Sequence, residues 1–381
     1  MRRYIKLTGI AILMLCLFTS CGVQDDSYEK EERLTLTVAV RAGESSLLQK
    51  VQDAFEKENT GIKLKFIELS SGFDQYSLLS SAFSTGEYLF DIVETEDAWV
   101  DDFVDKQWIV PLSGALKPDG EYFDYVQESF IRNGMAYAMP FHMDLGMLFS
   151  LDRYSWDGEF SSISEYDKNL GETLKINDDR EDIICALMEL IEYTDGDIES
   201  ALQLYESIYH ASGDERMNID AFKKGNVPIM HAWSSVIPEF YEESSAVSTI
   251  FKAHNTPLSQ SGRETSVAKL FGLSVSTLSE HKEECEKVLA FFGRDSVQVE
   301  LIKQSGMYPL KPKLYRNDTV VSAWNHIPKM ESRMQNIQLR PHIKSYAETA
   351  MRIKKEVLTF VEQRAAEAPT EAIDQFLRGD G

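Results

Sequence analysis

The sequence predicts an α/β protein that is divided into two lobes. Strand and helix patterns alternate near the start of the chain, and many more elements follow than one sheet could easily hold. Of the 381 residues, 43% are hydrophobic and 11% are aromatic, which is typical of a globular chain. We therefore expect two lobes, each able to bury a core of its own.

The first elements form a β-α-β-α-β unit. Residues 34–40 and 62–66 alternate apolar and polar side chains as strands do, and residues 90–93 form a short apolar strand. Between them, residues 44–59 and 74–85 have apolar side chains at helical spacing. This order predicts a parallel sheet that is covered by helices on both faces.

The remaining elements mix strands and helices without an internal repeat. Strands are predicted at 135–139, 145–151, 228–233, 248–253 and 270–276, and helices at 182–193, 198–211, 282–292, 296–304 and 343–368.

The beginning of the chain has the pattern of a secretory signal. Arg2, Arg3 and Lys6 precede a short apolar run, and the small Thr19 and Ser20 precede a cysteine. A cysteine directly after a cleavage point resembles the lipobox of bacterial lipoproteins, and this resemblance implies that Cys21 is acylated. Residues 1–20 would then be a lipoprotein signal peptide and residues 21–33 a flexible tether, and the protein would lie on the extracytoplasmic face of the cell membrane. An uncleaved signal anchor is the alternative.

The net charge of the chain limits the kinds of partner that it can bind. The formal charge of −23 repels phosphate backbones and anionic lipid heads, so we expect no nucleic acid and no membrane contact beyond the anchor. A neutral or cationic small molecule is therefore favoured as the ligand.

Cys185 and Cys285 lie in helical patterns far apart in the sequence, and we interpret them as buried thiols, with a disulfide between them as the alternative.

The motifs of several enzyme classes are absent from the sequence. There is no phosphate-binding glycine loop, no Gly-x-Ser-x-Gly elbow and no His-Glu-x-x-His pair. No histidine has a neighbour at ligand spacing, so no metal, no cofactor and no catalytic residue is predicted. The seven histidines are His142, His210, His231, His254, His281, His326 and His342.

An ordered set of short segments extends over most of residues 34–377. The segments are FEKENTGIKL at 55–64, Gly86 followed by DIV at 91–93, WIVPL at 108–112, YAMPF at 137–141, DLGMLF at 144–149, AFKKG at 221–225, MHAW at 230–233 and Arg340-Pro341. In this set the chain resembles the family 1 extracellular solute-binding proteins, the sugar-type receptors of ABC importers. It departs from their pattern at Lys269-Leu270, where a glycine pair is usual, and around residues 155–157.

The resemblance implies a periplasmic-binding-protein-like fold of class II, with discontinuous lobes joined by hinge crossings. The crossings would lie near residues 138–142, 270–274 and 308–312. The N-terminal lobe would comprise residues 34–140 and 271–309, and the C-terminal lobe residues 141–270 and 310–381. The same resemblance implies a monomer that captures a small solute, a sugar or oligosaccharide, and delivers it to ABC transporter permease subunits.

Flat aromatic side chains and hydrogen-bonding carboxylates are the groups that a sugar site needs. Trp233 follows a strand where the family places a cleft aromatic, although a core position is the alternative. Asp144 follows the first crossing and suits a hydroxyl acceptor, although it could equally cap a turn. Phe271 occupies the aromatic position of the late loop, with core burial as its alternative. Trp156 is a further aromatic candidate.

Polar residues collect at the end of the strand at 90–93, where open α/β sheets bind their ligands. Glu94, Glu96 and Asp97, together with Thr95, either contact the solute or form a solvated loop. Trp99 stacks on the ligand or packs on Phe103. Arg41, after the first strand, reaches the cleft or pairs with acidic side chains. Trp108 is interpreted as structural.

Four hypotheses follow for the function. The first is a lipid-anchored carbohydrate receptor of an ABC importer, and the second is a receptor for a cationic solute such as a polyamine, which the acidic cluster favours. The third is an extracytoplasmic glycan hydrolase, and the fourth is a lipoprotein with only an interaction role. Because abundant carboxylates are weak evidence for a hydrolytic pair, the protein is not expected to be an enzyme.

Overall fold

The computed structural model describes eight stretches of the chain, residues 33–70, 73–114, 120–152, 180–211, 215–254, 266–335, 337–363 and 368–379. The predicted signal, the tether, Cys21 and Trp156 lie outside these residues. Within them, no helix has both the length and the apolar character needed to cross a bilayer.

Ten strands are present in the described residues. They are β1 (Leu34–Arg41), β2 (Ile62–Leu69), β3 (Ile92–Glu96), β4 (Ile131–Arg132), β5 (Met135–Ala136), β6 (Met139–Leu151), β7 (Ile229–Trp233), β8 (Phe251–His254), β9 (Ser266–Val275) and β10 (Ile337–Leu339).

The β-α-β-α-β prediction for the first part of the chain is confirmed. Strand β1 pairs in parallel with β2 on one side and with β3 on the other. The helix Ser45–Glu58 connects β1 to β2 and buries Leu48, Val51 and Phe55, which recur at helical spacing on one face. The amphipathic pattern read from the sequence is therefore the pattern that packs against the sheet.

One continuous eight-stranded sheet joins the two parts of the molecule, although the sequence suggested that a single sheet would be hard to fill. Its main path is β2-β1-β3-β9-β6-β7, with β10 paired to β9 and β8 paired to β6. The sheet can include this many strands because β6 and β9 are long, with 13 and 10 residues.

Strands β6 and β9 pair with different partners along their lengths. Residues 271–275 of β9 pair with β3, whereas residues 266–268 pair with β10. In β6, residues 139–145 pair with β9, and residues 146–150 pair with β7. The two strands therefore cross from the N-terminal part of the sheet to the C-terminal part, near the crossings that were predicted.

Gly272 permits the close approach of the two crossing strands. A Cβ atom at this position would lie 2.7 Å from the Cβ of Ala138 and 2.9 Å from the ring of Phe130. Since neither group is the far end of a flexible side chain, only glycine fits here. The register of β6 against β9 also shifts between Pro140 and His142.

The seven predicted helices are present, and the last long one ends at Gln363, before a further helix. Short helices such as Asp124–Ser129, Asp318–Ala323 and Ile327–Met330 were not predicted. The strand predicted at 135–139 is replaced by β5 and the start of β6, and the one predicted at 248–253 begins at Phe251. The α-helices are Ser45–Glu58, Phe73–Thr85, Val100–Asp105, Asp124–Ser129, Arg180–Tyr193, Ile198–Ala211, Glu215–Lys223, Ile237–Phe240, Lys282–Phe292, Asp295–Ser305, Asp318–Ala323, Ile327–Met330, Tyr346–Gln363 and Thr370–Arg378; 3-10 helices cover Asp97–Trp99, Ser234–Val236, Pro312–Arg316 and Glu331–Gln335.

Three side chains that were interpreted as buried or structural are packed inside. Cys185 and Cys285 are both buried thiols and do not form a disulfide. Trp108 stacks on Phe83 with ring centroids 5.4 Å apart and meets Phe103 edge to face. These interpretations are confirmed.

Candidate functional site

Most of the predicted site residues, but not Trp99, meet at one edge of the sheet, beside residues 269–271 of β9. The guanidinium of Arg41 lies 3.8 Å from the ring centroid of Phe271, and the amide of Leu270 donates to Asp97 at 3.1 Å. Lys269 lies opposite Asp144 in the ladder, and its ammonium is 3.8 Å from the centroid of Trp233. This short stretch of β9 therefore connects side chains from β1, β3, β6 and β7.

Arg41, at the end of β1, is the centre of a buried ionic cluster. Its Nε atom donates to Glu94 at 3.0 Å, and its Nη2 atom donates to Glu44 at 2.6 Å. The ring nitrogen Nε2 of His142 lies 3.1 Å from a carboxylate oxygen of each glutamate. The imidazole of His142 also stacks on Phe271 at 4.4 Å. We call these five residues the Arg41 cluster.

Each charge in the Arg41 cluster shifts the pKa of its neighbours. Burial disfavours the charged form of His142, but attraction to Glu44 and the hydrogen bonds to Glu44 and Glu94 together outweigh burial and raise the pKa of the imidazole above its usual value. Burial and repulsion by Glu44 together raise the pKa of Glu94. The pKa of Glu44 is lowered, because attraction to Arg41 and His142 exceeds the effect of burial. The cluster carries no net charge only in the state in which both carboxylates are ionised and His142 is protonated.

Glu44, Glu94 and His142 are a candidate set of metal ligands. Their donor atoms lie within 4.8 Å of one another, and Oε2 of Glu44 is buried without a hydrogen-bond partner among the described residues. However, Arg41 bonds to both carboxylates and already supplies the positive charge that they need. The donors fit a divalent cation in type, but the arginine takes its place. The expectation of no metal stays a prediction.

A small cavity borders the Arg41 cluster. Its volume is about 20 Å³, and Glu44, His142 and Tyr308 are among the residues that line it. A space of this size holds about one water molecule. The cavity is too small for a sugar, so the edge of the sheet is covered in this structure.

A second buried cluster is centred on Arg340, which follows β10. Arg340 donates to Glu96 at 2.5 Å and to Asp97 at 2.7 Å, and all three side chains are at most 3% exposed. His342 lies 3.4 Å from the other oxygen of Asp97. Burial opposes ionisation of Asp97, but Arg340 and His342 outweigh it and lower the pKa of this carboxyl. We call these four residues the Arg340 cluster.

Asp144 has the capping role that was its alternative interpretation. Its Oδ1 atom accepts hydrogen bonds from the hydroxyl of Ser234 at 2.6 Å and from the amide of Ser235 at 2.9 Å. The amide of Leu145 also donates to it at 3.1 Å. Asp144 therefore fixes the start of the 3-10 helix Ser234–Val236 directly after Trp233. Contact with a solute at Asp144 stays a prediction.

The aromatic candidates differ in their surroundings. Trp233 is 7% exposed and ends β7 at the edge of the sheet. Trp99 is fully buried and packs edge to face on Tyr76 at 5.6 Å, with Phe103 at 6.2 Å. Phe271 has one neighbour in Arg41 and another in His142. The structure thus places Trp233 and Phe271 at the shared edge, and Trp99 in the core of the N-terminal part.

Sequence reasoning missed four residues that complete this edge, namely Glu44, His142, Lys269 and Arg340. Glu44 could have been found from its position three residues after Arg41. His142 was set aside because histidines were judged by sequence spacing, although its partners lie 48 and 98 residues earlier in the chain. Arg340 was noted only as part of a family segment. No sequence signal pairs it with residues 96 and 97.

Comparison with known proteins identifies the family. A family model described as "Bacterial extracellular solute-binding protein" matches residues 50–329, well over half of the chain. The chain belongs to this family. Among curated proteins, none matches the sequence.

Solved structures with the same fold cover nearly the whole chain. The maltose-bound MalE3 of T. maritima is 17% identical, with 91% of this chain and 98% of that chain covered and a TM-score of 0.80. The GacH receptor of Streptomyces glaucescens, solved with and without acarbose, is 18% identical, with 91% and 97% covered and a TM-score of 0.75. An ABC transporter solute-binding protein of Agrobacterium radiobacter in complex with ribitol is 16% identical, with 91% and 98% covered and a TM-score of 0.75. These likenesses confirm the two-lobed binding-protein fold.

Proposed function

We propose that this protein is an extracytoplasmic receptor that captures an uncharged carbohydrate between two lobes and delivers it to an ABC importer. The observation that carries the proposal is the passage of β6 and β9 between the two parts of the sheet. Side chains from both parts meet where these strands cross. A ligand that contacts both parts stabilises the closed arrangement, and closure is the signal that a transporter can recognise.

The chemistry of the edge suits a sugar. Trp233 and Phe271 supply flat apolar faces, and Glu94, Glu96 and Asp97 supply carboxylate oxygens that accept hydrogen bonds from hydroxyls. The site residues proposed are these five together with Arg41, Asp144 and Trp99. These residues are at most 7% exposed apart from Arg41, with 16% of its side chain exposed, so entry of a solute requires opening at the crossings.

Charge compensation favours an uncharged solute over a polyamine. The acidic residues that favoured a cationic ligand are each bonded to a buried cation of the protein. Arg41 bonds to Glu44 and Glu94, and His142 lies beside both glutamates, while Arg340 bonds to Glu96 and Asp97. A polyamine would have to displace these cations or be buried beside them, and both cost free energy. Neighbours of the same fold contain maltose, ribitol and D-mannitol, which are all uncharged.

The proposal includes the features predicted at the start of the chain. Acylation of Cys21 would hold the receptor at the extracytoplasmic face of the cell membrane, and residues 21–33 would let the lobes stand away from the lipid. We assign the lobes the bounds 34–140 with 271–309, and 141–270 with 310–381. A monomer without catalytic activity completes the proposal, in agreement with a family of binding proteins.

A thermal-shift screen tests the proposal directly. The panel contains maltose, ribitol and D-mannitol as uncharged solutes, and putrescine and spermidine as cations. A ligand present at about one hundred times its dissociation constant stabilises the protein by about 2.7 kcal/mol, which is a readable increase in Tm. The ligand recovered after incubation should be chemically intact, whereas cleavage products would indicate a hydrolase.

Two matched tryptophan variants locate the site. Trp233→Leu should abolish the shift, because it removes the stacking face at the shared edge. Trp108→Leu makes the same chemical change in a side chain packed on Phe83 in the core, and it should lower the basal Tm while preserving the ligand-induced shift. The proposal fails if no sugar or polyol shifts the Tm, or if both variants lose the shift equally.

A further inference from the structure

The small cavity beside the Arg41 cluster is lined mainly by apolar side chains. Its volume is about 20 Å³, and its walls come from the start of the helix Ser45–Glu58, from β6 and from the chain at 298–308. The apolar side chains that line it are Leu47, Leu48, Phe141, Leu301, Ile302 and Met307. All lining residues lie inside the described stretches of the chain, away from their ends. We call this space the Glu44 recess, after the acidic residue in its wall.

Glu44 brings one unsatisfied oxygen to the recess. Its Oε1 atom accepts a hydrogen bond from Arg41 at 2.6 Å and lies 3.1 Å from Nε2 of His142. Its Oε2 atom is buried and has no hydrogen-bond partner among the described residues. Burial opposes ionisation of Glu44, but attraction to Arg41 and His142 lowers its pKa, so Oε2 can only accept a hydrogen bond. Leaving such an acceptor unsatisfied costs free energy.

The other polar side chains of the wall are already bonded within the protein. The amide of Gln298 donates to a backbone carbonyl at 3.0 Å, and the hydroxyl of Ser305 donates to another at 2.8 Å. The hydroxyl of Tyr308 donates to a methionine sulfur at 3.4 Å. A group that enters the recess therefore meets apolar side chains and the unpartnered oxygen of Glu44.

Water is a poor occupant of such a space. A buried water typically makes about three hydrogen bonds, whereas here it would find one unsatisfied acceptor among apolar side chains. A ligand group that displaces a poorly held water gains affinity if it replaces the hydrogen bond and also covers the apolar wall. The recess therefore favours a small group that carries an N–H or O–H donor next to a methyl group.

The recess adjoins the candidate carbohydrate site. The imidazole of His142, which forms part of its wall, stacks on Phe271 with ring centroids 4.4 Å apart. Arg41, which bonds to Glu44, lies 3.8 Å from the centroid of the same Phe271 ring. A substituent of a sugar that stacks on Phe271 is therefore close to the recess.

We propose, on the basis of the carbohydrate function proposed above, that the solute is an N-acetylated amino sugar whose acetamido group occupies the Glu44 recess. In a planar trans amide, the N–H and the methyl group lie on the same side of the C–N bond. The N–H donates to Oε2 of Glu44, and the methyl group packs on Leu47, Leu48 and Leu301. The volume of the recess suits a group of this size, and the acetamido group is uncharged.

Other substituents of a sugar satisfy only one of the two requirements. A hydroxyl group donates to Glu44 but leaves the apolar wall uncovered, and the methyl group of a deoxy sugar buries Oε2 without a donor. A protonated amine would be buried beside Arg41, which already bonds to Glu44. The acetamido group alone among these combines a neutral donor with a methyl group.

Titration calorimetry on the full-length protein tests this specificity with matched sugars. N-acetylglucosamine is compared with glucose, and N,N′-diacetylchitobiose with cellobiose, so that each pair differs only by acetamido in place of hydroxyl. The acetylated member should bind about tenfold tighter or more, which corresponds to about 1.4 kcal/mol. N-propanoylglucosamine carries one further methylene and should lose most of this gain, because the recess is small.

A substitution that fills the recess should remove the preference. Leu47 lines the recess and is half-buried, so Leu47→Trp should bring the affinity ratio of each sugar pair close to one. Leu78→Trp makes the same change in a side chain that is 48% exposed on the helix Phe73–Thr85, and it should leave the ratio unchanged. Thermal unfolding of each variant shows whether it is folded.

A second pair of variants tests the hydrogen bond. In Glu44→Gln, the carbonyl oxygen stays with Arg41, so the amide nitrogen takes the place of Oε2 and presents a donor to the acetamido N–H. The affinity ratio should then fall by about tenfold, as for the loss of a fitted contact. Glu94→Gln makes the same change in the other glutamate bonded to Arg41, which does not line the recess. It should change the affinities of both members of a pair alike and keep their ratio.

The outcomes separate this inference from the carbohydrate proposal on which it rests. The inference is overturned if the acetylated sugars bind no tighter than glucose and cellobiose, or if maltose, ribitol or D-mannitol binds more tightly than they do. In both cases a bound sugar or polyol leaves the carbohydrate proposal standing. A ratio that survives both Leu47→Trp and Glu44→Gln would place the acetamido group elsewhere and would also overturn the inference. If no sugar or polyol binds, both proposals fail.

Discussion

The two buried arginine clusters at the edge of the sheet solve the same electrostatic problem in different ways. Arg41 and Arg340 each bond to two carboxylates in an environment where an unpaired charge is costly. In the Arg41 cluster, one partner is only three residues away. In the Arg340 cluster, Asp97 and Glu96 are 243 and 244 residues away.

The clusters also differ in how they respond to protons. His142, with its raised pKa, supplies part of the positive charge in the Arg41 cluster, and this charge is lost when the imidazole deprotonates. In the Arg340 cluster the positive charge belongs to a guanidinium, which stays protonated in proteins. The first cluster therefore loses positive charge when His142 deprotonates, whereas the cation that bonds to both carboxylates of the second cluster stays charged.

Removal of the Arg340 side chain should have the largest effect on the free energy of unfolding. Arg340→Met leaves Glu96 and Asp97 buried without their cation, and we expect a loss of about 3–5 kcal/mol in the free energy of unfolding. Urea denaturation at pH 7 measures this loss. Adding Glu96→Gln and Asp97→Asn to the same chain should restore part of it, since no buried charge then remains unpaired. A loss below about 1 kcal/mol would mean that water reaches the carboxylates.

The second prediction has an intermediate effect: the free energy of unfolding should depend on pH differently through the two clusters. The pKa of His142 is raised above 6.5, so its stabilisation is complete below that pH and is lost as the pH rises through the folded-state value. The pKa of Asp97 is lowered below 3.8, so its stabilisation is present above pH 3.8 and is lost on acidification through the folded-state value.

Two variants test this assignment through the midpoint of urea unfolding. His142→Gln should flatten the decline of stability on the alkaline side of pH 6.5 and leave the acid side as it is. Asp97→Asn should leave the alkaline side as it is and should reduce the loss of stability on acidification. If His142→Gln also flattens the acid side, the two clusters are coupled across residues 270–271, and the comparison between them fails.

The sequence predicted the elements of this fold well because their signals are local. The helix at 44–59 and the strand at 34–40 follow from side-chain periodicity over a few turns, and both are present. The continuity of the sheet was missed, because strand length and pairing depend on contacts between residues 139–145 and 268–273, which no local pattern encodes. The crossings were placed only through resemblance to a family.

Only part of the candidate site was predicted, again because the sequence carries local signals and not long-range contacts. Residues at the ends of β1 and β3 were found because strand ends are recognisable in a sequence. Arg340, the cationic partner of Glu96 and Asp97, was missed, since a pair separated by 243 or 244 residues leaves no trace in spacing. Consequently the acidic residues looked like a cation site, and only the fold shows that Glu96 and Asp97 are already bonded to Arg340.

The smallest effect on stability is expected from a substitution of Lys344, which lies four residues after Arg340. Lys344 forms an ion pair with Asp105, but the two side chains are 71% and 53% exposed, so water already solvates both charges. Lys344→Ala removes a positive charge from the same segment as Arg340→Met and should leave the urea midpoint within experimental error. If it destabilises the protein as much as Arg340→Met, net charge along residues 340–345 matters more than burial. In that case the contrast between the two arginines would have to be explained by charge density instead of by desolvation.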